Sequence, residues 1–531
     1  MVKSTQMGQL FSSENLPWTR ALNAVNIAES RAVPAPPSAA PTIPFEGDFL
    51  AMNRKQRSWV SVRLSGLLLA ILALVASASA EWREKVLYSF QGGTTDGALP
   101  AGGVVFDTAG NLYGATDQGF GFCPPGQCGS VFQLAPPVKQ GDPWIETVLH
   151  VFTGTSNGDG SSPAGGLVID GAGNLYGTAA YGGAGDCVLL GTKVGCGIVY
   201  EMTPPRTKGG VWTEIVLYSF QGSKDGYLPV GNLTFDKAGN LYGATYYGGG
   251  YGSCNSPYYQ NCGTIFQLTP PKTKGGKWKE KVLYSFKGVA AGEQFGDGAN
   301  PNGGLVFDSE GAIYGTTYFG GNNQKGVCEG GSGGTGCGIV FEVSPPTKDG
   351  GAWTKKLIHQ FDAKDGANPA AGVIFDGNGN LYGTTSAGLP SGLGLAFEVK
   401  KPSGKSSSWT GTVLHRFHGG DDGEYPMSGL ILGSLGNLYG AALGGASHGG
   451  VVFHLRPPKT GNTWPLTVLY NLAGSPDGNH PTAALIFDHK GSLYSTTEWG
   501  GTGQSCQGGC GTVFEVSPQK QESTATAVIE K

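Results

Sequence analysis

The chain has 531 residues, 93 of them glycine, a formal charge of −4 and 14% charged residues. So much glycine without a Gly-X-Y period excludes collagen, and 10% aromatic residues exclude plain disorder. The weak negative charge supplies no basic field, so no nucleic-acid partner is expected.

Residues 1–51 are rich in Ala, Pro and Ser without periodicity and are expected to be a disordered or mis-assigned leader. Met52 opens a segment that reads as a signal peptide over 52–80. Arg54, Lys55, Arg57 and Arg63 precede an apolar run from Leu64 to Ala76, and Ala78-Ser79-Ala80 forms a small-residue cleavage site. Only 17 residues separate Arg63 from Glu81, short of the roughly 20 that span a bilayer. Cleavage after Ala80 is therefore expected, with no stable membrane span afterwards and a secreted, periplasmic or cell-envelope destination.

From 81 to 518 the sequence repeats. Seven copies of a DGxxP-to-Tyr stretch share one length: Asp96 to Tyr113, Asp159 to Tyr176, Asp225 to Tyr242, Asp297 to Tyr314, Asp365 to Tyr382, Asp422 to Tyr439 and Asp477 to Tyr494. Each unit predicts four strands. In the third copy they begin with the apolar run Gly231–Asp236, expected to be buried on both faces, and continue with Asn240–Thr245 after a Gly turn. The Asp before that turn, such as Asp236, is expected to accept a backbone N–H; unit six has Gly433 instead. The third strand is Gly263–Thr269. The fourth starts at a Trp (Trp82, Trp144, Trp212, Trp278, Trp353, Trp409, Trp464), with Tyr or His six residues on and Phe or Leu472 two further. Even offsets predict that these side chains share one face and cover a neighbouring sheet.

Units of about 60 residues bury a core only by packing on one another. The predicted fold is therefore all-β, a seven-bladed β-propeller of four-stranded antiparallel blades. The repeats begin with a fourth-type strand, Trp82–Phe90, and end with a third-type strand, Gly511–Ser517. The N-terminal strand is thus predicted to complete the last blade and close the ring. Residues 519–531 are expected to be a disordered tail.

Ten cysteines fall in five local pairs, Cys123 with Cys128, Cys187 with Cys196, Cys254 with Cys262, Cys328 with Cys337 and Cys506 with Cys510. Behind a signal peptide they read as disulfides. Two thiolates without an accompanying His are too few for structural zinc, so no metal is expected there.

GNLYGTT, GTVFEVSP, VLYSF and DGxxP together resemble the GloVer (Gloeo/Verruco) tandem-repeat family of secreted bacterial proteins, over roughly residues 82 to 518. The resemblance implies export and a propeller-like fold. It implies no activity and no catalytic residue.

On a propeller ordered this way, the DGxxP loops and the loops from second to third strand share one face. The latter vary most in length and carry every Cys pair, as binding loops on a rigid scaffold do. Tyr181, Tyr247, Tyr318, Phe319 and Trp499 are candidate ligand contacts there; the alternative is that each ring packs inside its own loop. The seven DGxxP carboxylates read as turn formers. His150, His359 and His415 replace the outer-strand Tyr and read as packing residues. His418, His448, His454, His480 and His489 belong to the last two units, and His448 and His480 are placed on the loop-rich face. With no nucleophile elbow, HExxH or phosphate loop, no catalytic residue, cofactor or metal is assigned. The expected role is a monomeric binding or interaction module for an extracellular glycan or protein. The alternatives are a hydrolase or lyase at the channel mouth and a structural envelope protein. Unpaired polar residues clustered at that mouth would favour the enzyme.

Overall fold

The computed structural model describes residues 81–519, apart from 124–125, 164, 190, 208, 223, 251–261, 274, 289–295, 323–327, 329–335, 349, 405–407 and 462. The leader, the signal segment and the C-terminal tail read from the sequence lie outside the described residues. Residues 83–517 form one unit, built from seven antiparallel sheets in chain order. Blade 1 contains Val105–Phe106, Leu112–Thr116, Ser130–Ala135 and Ile145–Val151, paired in that order. Blades 2 to 6 repeat the pattern. In blade 7, Ile486–Phe487, Leu493–Thr497 and Thr512–Pro518 are followed in the sheet by Trp82–Ser89, the first strand of the chain. Phe90 N–H donates to Gly511 O at 3.0 Å and Gln519 N–H to Glu81 O at 2.8 Å. The ring is thus closed by the N-terminal strand, as the strand order requires.

The seams between blades are filled by the repeated aromatics. The outer-strand Phe of one blade meets the third-strand ring of the next edge-on: Phe90 with Phe132, Phe152 with Tyr200 and Phe220 with Phe266, at centroid separations of 5.1, 5.1 and 5.2 Å. All six rings are fully buried. Where the next blade's inner strand ends in Phe, the second-strand Tyr packs on it, as Tyr176 does on Phe235, and Tyr494 on Phe106 continues this contact across the closure at 5.0 Å. Edge-to-face pairs add about 0.5–1.5 kcal/mol each beyond burial.

Two details differ from the sequence reading. The inner strand spans two residues in six blades and is long only in blade 3, as Tyr227–Phe235. Its apolar residues are also unequal: Val104 is buried, whereas Val105 and Phe106 are half-buried. The reason is that the small residues before it leave the ladder for the neighbouring blades. A Cβ on Gly102 would lie 2.6 Å from Gly165 O, one on Gly165 2.6 Å from Gly231 O, and one on Gly231 2.9 Å from Gly303 O. Second-strand hydroxyls also reach across, Thr384 to Ser428 O at 3.0 Å and Thr496 to Gly102 O at 3.0 Å.

The second difference is a bulge in the outer strand. Val131 faces His150 but Phe132 faces Val148, so Leu149 has no partner residue. The same shift recurs in blades 2 to 6. It breaks the even periodicity, and Leu149, at an odd offset from Trp144, is buried.

The DGxxP carboxylates fasten each blade to its connection. Asp225 accepts the Tyr218 hydroxyl at 2.9 Å and the Gln221 N–H at 2.8 Å. His150, His359 and His415 fill the Tyr role, pairing with Asp159, Asp365 and Asp422 at 3.3, 2.9 and 3.1 Å. Each also packs edge-on against the Phe two residues later. Asp236 accepts the N–H groups of Ala238 and Asn240 at 2.8 and 2.9 Å, the expected turn role. In blade 4 the buried Lys355 ammonium contacts Asp297 at 3.0 Å. Asp297→Ala would leave that cation unpaired and should cost about 2–4 kcal/mol. Asp225→Ala loses only neutral donors and should cost about 1–2 kcal/mol; urea denaturation of the two variants tests this ranking.

Candidate functional site at the loop-rich mouth

A short ladder joins the two loops of each blade on one face: Ala98 faces Gln118, Ser161 faces Tyr181, Tyr227 faces Tyr247, Ala299 faces Phe319 and Asn479 faces Trp499. Isolated bridges Ala367–Ala387 and Glu424–Leu443 supply blades 5 and 6. The expected sharing of a face therefore holds in all seven blades. Three disulfides link Cys187 to Cys196, Cys328 to Cys337 and Cys506 to Cys510 in the second-to-third loops. Cys128 and Cys262 are also disulfide-bonded, whereas the side chain of Cys123 and all of Cys254 lie outside the described residues. The disulfides fit an oxidising extracellular or periplasmic compartment. Among the described residues no helix is long and apolar enough to cross a membrane.

The residue before the Pro of DGxxP has a left-handed backbone in every blade. Leu99, Ser162, Leu228, Asn300, Asn368, Tyr425 and His480 have φ between 47° and 60°. Such a conformation costs about 1 kcal/mol for a non-glycine residue. It is retained because it clips blades together. Leu99 N–H donates to Cys510 O of blade 7 at 2.8 Å, while Leu99 O accepts from Asp117 N–H of its own blade at 3.0 Å. The following Pro seats against the Gly that opens the preceding blade's third strand, as Pro100 does against Gly511.

Four positions after the second-strand Tyr stand Asp117, Ala180, Tyr246, Tyr318, Ser386, Leu443 and Glu498, and in blades 1, 2, 5 and 7 this residue's N–H donates to the clip carbonyl. The side chains of this ring differ widely between blades. Asp117 and Glu498, in adjacent blades 1 and 7, are both 2% exposed. Burial, then the charge of Asp117, raises Glu498 to about 8. Burial raises Asp117 to about 7, against hydrogen bonds from Gln118 and Ser162. Among the described residues, Asp117 Oδ1, Glu498 Oε2, Asn479 Oδ1 and His480 Nδ1 have no hydrogen-bond partner. Burial lowers the His480 pKa. Four unpaired polar atoms thus sit at one end of blades 7 and 1, where each would ordinarily cost 1–3 kcal/mol if left unused. On the other side of the ring, in blade 4, Tyr318 is hydrogen-bonded to Ser386 and burial raises its hydroxyl pKa. Asn300 and Asn368 amides donate to Tyr246 O and Tyr318 O at 2.9 and 3.1 Å.

The residues singled out from sequence are distributed differently. Tyr181, Tyr247, Phe319 and Trp499 occupy equivalent ladder positions, and only Tyr318 belongs to the ring. Tyr181 and Phe319 are buried, Tyr247 stacks on Tyr227 at 5.4 Å, and Trp499 packs against the blade 7 and blade 1 core. His480 lies with the unpaired group, while His448 is exposed in the blade 6 loop. Asp117, Asn479 and Glu498 were not read as site residues. For Asp117 and Glu498 the signal lies in one repeat column, D, A, Y, Y, S, L, E, in which the copies carry unlike residues.

The Gloeobacter/Verrucomicrobia repeat model matches residues 75–256 and 327–530, more than half of the sequence. The chain belongs to this repeat family. No relative is found among curated proteins. Solved structures that match the chain include an ulvan lyase of a polysaccharide lyase family, 9% identical, at a TM-score of 0.47 over 81% of this chain and 95% of that one. A fungal alcohol oxidase in complex with copper is 12% identical, at 0.46 over 83% and 76%. A gluconolactonase from Xanthomonas campestris is 14% identical, at 0.30 over 61% and 79%. At these identities and TM-scores the likeness carries no statement about function.

Proposed function

We propose that this GloVer-family propeller is an exported binding module whose loop-rich face takes a polyhydroxylated ligand, a glycan, at the mouth over blades 7 and 1. The observation that carries the reading is the group of unpaired buried atoms on Asp117, Asn479, His480 and Glu498. Carboxyl, amide and imidazole groups that each keep an unpaired buried atom suit hydroxyl groups, which both donate and accept. Trp499, packed against the blade 7 and blade 1 core, supplies a rigid, amphipathic neighbour. Export through the 52–80 segment, cleaved after Ala80, and a monomeric state belong to the same reading.

The same unpaired group, by the expectation drawn from the sequence, also supports a second reading, an enzyme at this mouth. Two buried carboxyl groups of unlike surroundings, one hydrogen-bonded by Gln118 and Ser162 and one not, are the raw material of acid–base catalysis. A hydrolase or lyase acting at this mouth would use them.

Glycan-array binding followed by calorimetry separates the readings. A binder should retain one saturable glycan, weakened at least about tenfold in Asp117→Asn and Glu498→Gln, with no turnover. Reducing-end release that is lost in Glu498→Gln would establish the enzyme. Binding unaltered in both variants would remove the mouth as the site.

A further inference from the structure

The outer edge between blades 5 and 6 carries a cluster that no other blade repeats. His415 Nε2 lies 3.1 and 3.2 Å from the two Asp422 oxygens, and His418 Nδ1 lies 3.2 Å from Asp422 Oδ2. The three ligating atoms all fall within 4.8 Å of one another. Around a tetrahedral ion with bonds of roughly 2.0–2.1 Å, ligand atoms stand about 3.3 Å apart. Both His–Asp422 distances already match that spacing, and the two imidazole nitrogens lie within 4.8 Å of each other.

Its parts do not all follow from the repeat. The pairing of His415 with Asp422 has structural counterparts in His359 with Asp365 and His150 with Asp159. No other copy has an imidazole at the position of His418, although the Thr153 hydroxyl donates to Asp159 at 3.0 Å from there. The equivalents of His418 are Gln91, Thr153, Gln221, Lys287, Asp362 and Ala473. What recurs there is a backbone N–H donated to the DGxxP carboxylate, as His418 N–H donates to Asp422 at 3.0 Å. The His418 imidazole is therefore free of the turn's requirements and 72% exposed, whereas His415 and Asp422 are 13% and 20% exposed. The adjoining strand of blade 6 presents Leu466 where blade 4 presents Lys355, so no lysine takes up the Asp422 charge. The two buried ligands are fixed, and the exposed one leaves the remaining coordination positions open to water.

We propose that His415, His418 and Asp422 form a binding site for a divalent transition-metal ion, separate from the loop-rich mouth. Two imidazoles and one carboxylate suit Zn²⁺, Ni²⁺, Cu²⁺ or Fe²⁺ and disfavour Ca²⁺ and Mg²⁺, which demand oxygen shells. The other three-residue cluster, His150, Asp159 and Glu214, offers a single imidazole; burial, then the charge of Asp159, raises Glu214 to about 7. It serves as an internal comparison.

The test is calorimetric titration of untagged full-length protein with Zn²⁺ alone at pH 7.5, with Ca²⁺ as the control. One saturable Zn²⁺ equivalent at this edge is expected, insensitive to millimolar Ca²⁺. His418→Gln and His415→Tyr each install a residue that other blades use at that position, so both should fold. Each is expected to weaken Zn²⁺ at least about tenfold, while His150→Tyr leaves it unchanged. Circular dichroism verifies the fold of each variant. Zn²⁺ affinity equal to wild type in both His415→Tyr and His418→Gln, or no saturable Zn²⁺ binding at all, overturns the site.

Discussion

Gly303→Ala is expected to prevent native assembly of the ring. A methyl group at Gly303 would fall within van der Waals contact of the Gly372 nitrogen and the Ala371 carbonyl carbon. A methyl at Gly372 would meet the Gly304 carbonyl in the same way. These obstacles are backbone atoms of the adjoining blade, so no rotamer change relieves the clash. Separating blades 4 and 5 there would strain the adjoining contacts from Gly231 to Gly429 as well, because each inner segment touches its neighbours. Overpacking of a close-packed interior costs about 1–3 kcal/mol when side chains can move, and a backbone obstacle should exceed that range. Gly377→Ala is the control, since a Cβ there meets nothing within 4 Å. Soluble yield and thermal midpoint should collapse for Gly303→Ala and stay unchanged for Gly377→Ala. A Gly303→Ala protein with wild-type stability would mean that the inner segments are not packed as described.

Raising the pH from about 5 to about 8 should lower stability, contrary to the behaviour of proteins held by ordinary carboxylates. Four outer strands place a glutamate beside the DGxxP aspartate of the same blade's entry loop. Burial first, and then the charge of Asp477, raises Glu84 to about 8. Burial and the charges of Asp96, Asp159 and Asp225 raise Glu146, Glu214 and Glu280 to about 7. The folded state therefore keeps protons that the unfolded state releases near the usual glutamate value of 4.5. The stability these groups contribute is full below about 4.5 and is lost as pH rises through 7 to 8. Asp159, Asp365 and Asp422 act oppositely. Burial would raise them, but hydrogen bonds from His150, His359 and His415 and from backbone N–H groups outweigh it and lower them. Their contribution is lost as pH falls below the usual aspartate range. The maximum should lie near pH 5. The four glutamates are only partly buried, so each is expected to matter by about 1 kcal/mol after solvent screening. Together they should shift the thermal midpoint by about 3–6 °C between pH 5 and 8. Replacing all four with Gln should remove their share of that slope and leave the share of Asp117 and Glu498, which burial raises to about 7 and about 8. Glu146→Lys should reverse its own share, because Lys355 beside Asp297 is the arrangement that blade 4 already uses. A midpoint that rises from pH 5 to pH 8 would refute the assignment.

Both predictions depend on features with different visibility in the sequence. The strand types, their order and the borrowed first strand were legible because they repeat in register: Trp82 begins a fourth strand and Ser517 ends a third. The turn role of Asp236 was legible for the same reason, since a local hydrogen bond needs only local sequence. The outer-strand bulge at Leu149 was not, because an extra residue shared by every copy leaves no irregularity between copies. The pairing of Glu146 with Asp96, or of Lys355 with Asp297, joins residues dozens of positions apart and depends on how a connection folds back on its blade.

The candidate site divides along the same line. That the variable, disulfide-bearing loops share a face followed from strand order alone, and the sequence determined the ring, its closure and that face. Which side chains meet on it was decided only by the tertiary structure. The left-handed clip accepts Leu99, Ser162, Asn300, Tyr425 and His480 alike, because its backbone bonds to the neighbouring blade hold the conformation whatever the side chain. That tolerance frees the paired position to vary, and it sets Asp117 and Glu498 at the mouth of blades 1 and 7 across 381 residues of sequence. A repeat records what all seven blades need in common; the contact between two particular blades exists only once the ring has closed.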